Sequence, residues 1–308
     1  MMKDRVICLP NDNQLKQIKE ELGETSERLK NRIQLINEWL KYQNHLPNEI
    51  NEKLLENFIR LCKFDIGKIK KKLDLYFISR EKFKLFYENR EMPREYLQKF
   101  YISKFMCYLP SLTENGIGYR MVLVQSKDIE DLNFNSVLKY GTILFDYLLH
   151  EDLSSGVVII YDFKNVTASL MAKVDLIAMH NYIKMYVDVL PFRMRSIHIL
   201  NLHPIAMPAV TILKAILAQK LKERLMVHKN FEDFYKEIPK NLLPVEIGGT
   251  NSTLEELSAN WEILITENSK LKTKLEAIKL CGVVPNQEDY FKSYEYGIDG
   301  SFRQLEID

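Results

Sequence analysis

A chain of 308 residues, 46% hydrophobic and 28% charged, has an ordinary globular composition and room for two domains, or for one domain with a helical extension. Its net charge of +1 gives no overall drive towards nucleic acid or membranes, so any anion site must be a local patch. Cys8, Cys62, Cys107 and Cys281 form no CxxC pair, MMKDRVICLP lacks an apolar signal core, and no window reaches the ~18 apolar residues of a membrane span, which together predict a reduced, cytoplasmic protein.

Residues 13–90 read as helical. Leu15, Ile18, Leu22, Leu29, Ile33 and Ile36 mark one amphipathic segment running to Leu40. A helix over Glu49–Leu61 follows, and Asp65 is placed to cap a third that carries Ile66, Ile69, Leu73, Tyr76 and Phe77 at helical spacing. Lys68, Lys70, Lys71 and Lys72 lie mostly off that stripe and read as a solvated face.

Strand signals begin at Tyr119–Val124, after Gly116 and Gly118, whose GxG lacks the third glycine of a nucleotide loop. Residues 132–149 read as a helix. Gly156–Phe163 (GVVIIYDF) is a continuous apolar run, as in a strand buried on both faces. A long amphipathic helix is predicted over Thr167–Leu190, then a strand over Phe192–Leu200. Strand, helix and strand with crossovers of this length predict a parallel pair, hence an α/β layer fold with a mostly parallel sheet covered by helices. Helices over Phe231–Leu243 and Leu254–Leu280 flank a short predicted strand, Val245–Ile247.

The segment from Leu190 to Arg224 holds the densest chemistry. Period two places Arg193 and Arg195 on one strand face. Residues 205–221 are apolar nearly all round and too short to span a bilayer, and the segment turns basic at its C-terminal end with Lys220, Lys222 and Arg224. On a continuous helix, Lys220 and Arg224 form an i, i+4 pair. The pattern describes a greasy lid over an apolar ligand, beside an anion site.

Four segments, GVVIIYDFKNVTASL, LPFRMRSIHILNLHP, LKAILAQKLKERLMVHKN and LLPVEIGGT, resemble the CRAL-TRIO lipid-binding family in order and spacing. The helices before them are similar to that family's N-terminal module, and GIDGSFRQLEID to the tail of its insect members. Asn165 replaces a family glycine, and Lys214-Ala215-Ile216 replaces a Lys-Pro-Phe, which implies a straighter lid helix. The resemblance implies a helical module over 13–92, a lipid-binding domain over 93–250, and a C-terminal helix and tail over 251–308. It also implies an apolar pocket that takes a retinoid, a tocopherol-like molecule or another isoprenoid lipid. Lining candidates are Tyr140, Ile143, Tyr161, Phe163, Met185, Tyr186, Leu190, Ile197, Met207, Val210, Leu213 and Leu217. Arg193, Arg195, Lys220 and Arg224 match the positions that grip a phosphoinositide headgroup in tocopherol-transfer relatives, which implies transient association with phosphoinositide membranes. Lys139 and Ile143 stand where those relatives contact the tocopherol ring through polar groups, which argues against tocopherol itself.

Enzyme motifs are missing from the sequence: there is no Gly-x-Ser-x-Gly, His-Glu-x-x-His, Walker loop or clustered Cys/His set. His198, alternating with isoleucines, reads as a hydrogen-bonded core histidine; Asp162 reads as structural; His150-Glu151-Asp152 lacks metal-ligand spacing. No cofactor, metal or nucleic-acid partner is expected. Two readings remain, a carrier that releases its ligand at membranes and a lipid sensor or scaffold without net transfer.

Overall fold

Gly23 divides the first amphipathic segment. In the computed structural model, which describes residues 6–100, 102–113, 118–125 and 129–284, that segment is two helices, Asp12–Leu22 and Ser26–Leu40. Gly23 adopts φ +65, the left-handed conformation that ends a helix at little cost, and Thr25 then caps the second helix through the Arg28 N–H. Helices Glu52–Leu61 and Ile66–Lys82 follow, the latter capped by Asp65, which accepts from the Lys68 N–H at 2.9 Å.

Lys72 corrects the solvated-face expectation. Its ammonium donates to the carbonyls of Val187, Asp188 and Leu190 at 2.9, 2.7 and 2.9 Å. A cation there complements the C-terminal end of helix Leu176–Asp188, while burial pulls its pKa down to about 8. The lysine thus ties the N-terminal helices to the segment that leads into Arg193.

The five strands among the described residues are β1 (Met106–Leu112), β2 (Arg120–Gln125), β3 (Val157–Asp162), β4 (Met194–Leu200) and β5 (Leu225–Val227), adjacent in that order. β1 runs antiparallel to β2, and β2 to β5 are parallel. This is the mostly parallel α/β sheet that the crossover lengths predict. Gly156 seats β3 against β4: a Cβ there would lie 2.3 Å from the Arg193 carbonyl oxygen, which accepts from the Val157 N–H at 2.8 Å.

Several elements depart from the pattern reading. The 167–190 helix is two, Ala168–Lys173 and Leu176–Asp188, because the Asp175 carboxylate caps the N–H groups of Ile177 and Ala178. Asn268 likewise divides the C-terminal helix into Leu254–Glu267 and Ser269–Glu276. Residues 231–243 form a shorter helix, Phe231–Glu237, and a 3-10 turn, Lys240–Leu242. Val245–Ile247 is a 3-10 turn rather than a strand, closed by Gly248 at φ +75. Gly116 and the GIDGSFRQLEID tail lie outside the described residues.

One continuous apolar core joins the N-terminal helices to the sheet through the central helix Phe134–Glu151. At their contact Asp146, 1% exposed, accepts from Arg80 at 2.8 Å, Arg90 at 2.6 Å and the Tyr76 hydroxyl at 2.7 Å. Burial alone would raise its pKa; the two guanidiniums outweigh it and hold the carboxylate ionised. Asp146→Ala would leave the buried Arg80 guanidinium without its counterion. The expected loss is about 3–5 kcal/mol of stability, read from urea unfolding, with Asp146→Asn recovering part of it.

Candidate functional site

Between the sheet and its covering helices lies a cavity of about 190 Å³. Its floor is Val122 and Val124 of β2, Ile159 and Tyr161 of β3, and Met194 and Ile199 of β4. Phe134, Val137, Leu138 and Phe145 of the central helix form one wall. Met179, Tyr182, Ile183 and Tyr186, at helical spacing on Leu176–Asp188, form another. Helix Met207–Ile216 roofs it with Ala209, Val210 and Leu213. Lining polar groups are the phenols of Tyr108, Tyr161, Tyr182 and Tyr186, with Gln125 and Asp162 at the C-terminal ends of their strands. Asp162 accepts from Asn201 Nδ2 at 2.7 Å, Gln125 Nε2 at 3.0 Å and the Lys164 N–H at 3.0 Å, so its visible role is to brace these loops.

Of the twelve lining candidates the structure brings Tyr161, Phe163, Tyr186, Val210 and Leu213 together in the cavity. Tyr140 and Ile143 do not reach it. They are rotated about 100° and 160° from Gly141, the central-helix residue that meets Tyr182. Tyr140 is fully buried, and Ile143 lines a separate hollow with Tyr87, Met92 and Ile265. Met185 turns the other way and accepts a hydrogen bond from the Tyr87 hydroxyl at 3.2 Å. Leu190, Ile197 and Leu217 are buried core residues off the cavity, and Met207, at the start of the lid, is 43% exposed. Met106 and Tyr108 of β1 and Tyr182 were missed by pattern. Tyr182 had a signal, since it stands one helical turn before Tyr186.

The lid stops earlier than its composition predicts. Helix Met207–Ile216 ends without a proline: Leu217 is extended at φ −69, ψ 133, and a single turn, Gln219–Lys222, follows. The straight lid and the i, i+4 pair are therefore corrected, because Arg224 lies beyond that turn, immediately before β5. The shared strand face of Arg193 and Arg195 is corrected too. Val157 pairs with Met194 but Val158 with Ser196, so Arg195 is an extra residue in β4 and the alternation breaks there.

Different geometry nevertheless brings the arginines to one end of the sheet. Arg193 and Arg195 stand at the start of β4; the Ile197 N–H donates to the Arg224 carbonyl at 3.0 Å, and Arg224 Nη1 to the Met194 carbonyl at 3.3 Å. Arg195 is exposed, with its guanidinium 5.8 Å from the Tyr119 ring centroid. Arg193 instead pairs with Glu21 of helix Asp12–Leu22 at 2.8 Å, and Lys220 is exposed on the single turn. This end lies roughly a strand length, ~20 Å, from Asp162.

His198 faces away from the cavity. Its Nδ1 is 2.9 Å from Nε2 of His228 and its Nε2 2.9 Å from the Ser196 hydroxyl, with Phe234 edge-on to both rings. Burial, and then His228, pulls its pKa down to about 4; burial also lowers His228, opposed by Glu237 and Asp233. The folded protein therefore binds fewer protons than the unfolded chain between about pH 6.5 and 4. Stability present above pH 6.5 is lost as pH falls through that window, on the order of 2–3 kcal/mol from His198. His198→Gln is expected to flatten that slope in urea midpoints measured from pH 7.5 to 4.5.

Among the described residues no group of three or more His, Cys, Asp or Glu is placed to hold a metal ion, and no helix is long and apolar enough to cross a membrane. The site is thus an apolar cavity beneath a helix, on a mostly parallel sheet preceded by a helical module. Residues 103–249 match the CRAL/TRIO domain and residues 25–97 the Pinta-like, UBA domain. The chain belongs to the CRAL-TRIO family. Curated relatives include the alpha-tocopherol transfer protein-like proteins of Mus musculus, 22% identical over 89% of this chain and 81% of that one, and of Homo sapiens, 23% identical over 91% and 83%. Among solved structures, that of Sfh5 aligns with a TM-score of 0.47 at 12% identity, covering 82% of this chain and 92% of that one.

Proposed function

We propose that the protein is a carrier that binds one hydrophobic molecule in this cavity and releases it at membranes bearing phosphoinositide. The observation that carries the reading is the apolar cavity under a helix whose outer side exposes Met207, 43% exposed, with Pro208 and Ala215, alongside Thr211 and Lys214. Burying about 400 Å² of an isoprenoid would contribute roughly 10 kcal/mol before association costs, so apolar contact supplies most of the affinity. Release then needs a competing environment. A bilayer offers the lid an apolar surface, and Arg195, Arg224 and Lys220 offer a polyphosphate several charge-assisted bonds. The similarity to alpha-tocopherol transfer protein-like proteins supports carriage of a lipid by this chain. The test is movement of a fluorescent isoprenoid between donor and acceptor vesicles, with and without phosphoinositide in the acceptors. Acceleration that depends on protein and phosphoinositide is expected; binding without faster transfer would make the protein a sensor instead.

A further inference from the structure

Far from the cavity, the N-terminal helices carry an apolar strip framed by cations. On helix Ser26–Leu40, Leu35 is 45% exposed and Trp39, one turn on along the same face, is half-buried. The turn that ends the helix exposes Tyr42 (80%), whose N–H donates to the Trp39 carbonyl at 3.1 Å. Lys70 of helix Ile66–Lys82 holds its ammonium 5.6 Å from the Trp39 ring centroid. Arg32 Nε donates to the Phe64 carbonyl at 3.0 Å, and the Arg28 guanidinium lies 4.5 Å from the Phe64 ring centroid. Lys63, Lys68 and Lys71 are exposed on the same loop and helix, and none of the three forms an ion pair among the described residues. The nearby carboxylates are engaged: Asp65 caps the Lys68 N–H, Glu38 pairs with Lys41 at 2.7 Å, and Asp74 with His45 at 2.6 Å. The strip is apolar and its surroundings are basic.

The described residues end beside this strip. The Cys281 N–H donates to the His45 carbonyl at 3.0 Å, and a Cβ on Gly282 would lie 2.7 Å from the Asn44 carbonyl oxygen; both partners follow Tyr42 within three residues. After Val284 the sequence runs PNQEDYFKSYEYGIDGSFRQLEID, with six carboxylates against two cations, a net charge of −4, and five aromatic rings. We propose that residues 285–308 dock on the face made by Leu35, Trp39 and Tyr42, with their carboxylates set against Arg32, Lys68, Lys70 and Lys71. Charge is complementary, and Trp, Tyr and Arg are the residue types that anchor protein contacts. Reach is ample: helix Ser26–Leu40 is about 22 Å long, and 24 residues extend to about 80 Å. Tethering decides the occupant. A segment attached at the edge of the face meets it at roughly millimolar effective concentration, so weak affinity suffices, whereas an anionic membrane has the charge but no tether.

The test reads Trp39 in the full chain with acrylamide, a neutral quencher of indole fluorescence; the other tryptophan, Trp261, is 1% exposed and shielded from it. Reversing charge in the segment with E288K/D289K/E295K, or on the face with K68E/K71E, is expected to raise the quenching slope about twofold as the face opens. Combining the two sets should return the slope to the wild-type value, a rescue that a general loss of stability would not give. Raising salt from about 0.05 to about 0.5 M should raise the wild-type slope in the same sense, because the attraction is screened. Unchanged slopes in both variants, or a combined variant that is not rescued, would overturn the proposal. So would a wild-type slope that falls as protein concentration rises, which assigns the face to a second copy of the chain. A wild-type slope that falls when phosphatidylserine vesicles are added would assign it to a membrane and overturn the proposal too.

Discussion

Leu213→Asp is expected to abolish ligand loading while the protein remains folded. Leu213 is 5% exposed, hangs from the lid into the cavity, and meets apolar walls that offer its replacement no cation. The substitution removes roughly 2 kcal/mol of apolar contact and adds a carboxylate that must be desolvated or protonated when ligand enters. Together these predict a fall in affinity of at least about a hundredfold. The lid helix need not unfold, because without ligand it can lift and let the carboxylate meet water; far-UV circular dichroism checks that. Met207→Asp on the same helix is the matched control, since Met207 is 43% exposed and off the cavity wall. It should load normally. Normal loading of Leu213→Asp, with native circular dichroism, would place the ligand elsewhere.

What the sequence made legible follows from how local each signal is. GVVIIYDF was readable as β3 because a strand buried on both faces is apolar at every position, whatever surrounds it. Met106–Leu112 was not, because Pro110 interrupts it; as the edge strand β1 it tolerates a residue without an N–H, and its register slips between Tyr108 and Leu112. The cavity was half legible for a related reason. Helical spacing says which residues share a face but not which of two buried faces meets the hollow, so Met185 and Tyr186 were indistinguishable until the Tyr87 hydroxyl claimed the former. Lys72 shows the same limit for charge. Its place off the apolar stripe gave it a solvated face, and only tertiary contact supplied three carbonyls. The cations at 193, 195, 220 and 224 were legible as residues, yet the geometry first used to join them, strand alternation and one helix turn, fails at a bulge and a helix end.

Arg195 and Arg224 together to Ala are expected to weaken binding to phosphoinositide vesicles at least about tenfold, the equivalent of ~1.4 kcal/mol, with ligand affinity in solution unchanged. These two are chosen because the structure treats the cations unequally. Arg193 is already satisfied by Glu21 at 2.8 Å, so it reaches a headgroup only by leaving that carboxylate. Arg195 is exposed and Arg224 half-buried, held across the start of β4 and β5 where no carboxylate pairs with either among the salt bridges of the described residues. Neither side chain lines the cavity, so the variant tests vesicle binding apart from ligand binding. Glu21→Gln should act in the opposite sense, freeing Arg193 and tightening vesicle binding. Vesicles of phosphatidylserine and of phosphatidylinositol bisphosphate, matched in total charge, distinguish a built site from a diffuse basic surface. A diffuse surface answers to any anionic lipid and weakens smoothly with salt. A site made of guanidiniums fixed by strand pairing should prefer the polyphosphate, and Glu21→Gln should widen the preference. Equal binding to both vesicles would leave a diffuse basic surface in place of a built site, and an unaffected Arg195/Arg224 variant would remove these two arginines from the membrane contact.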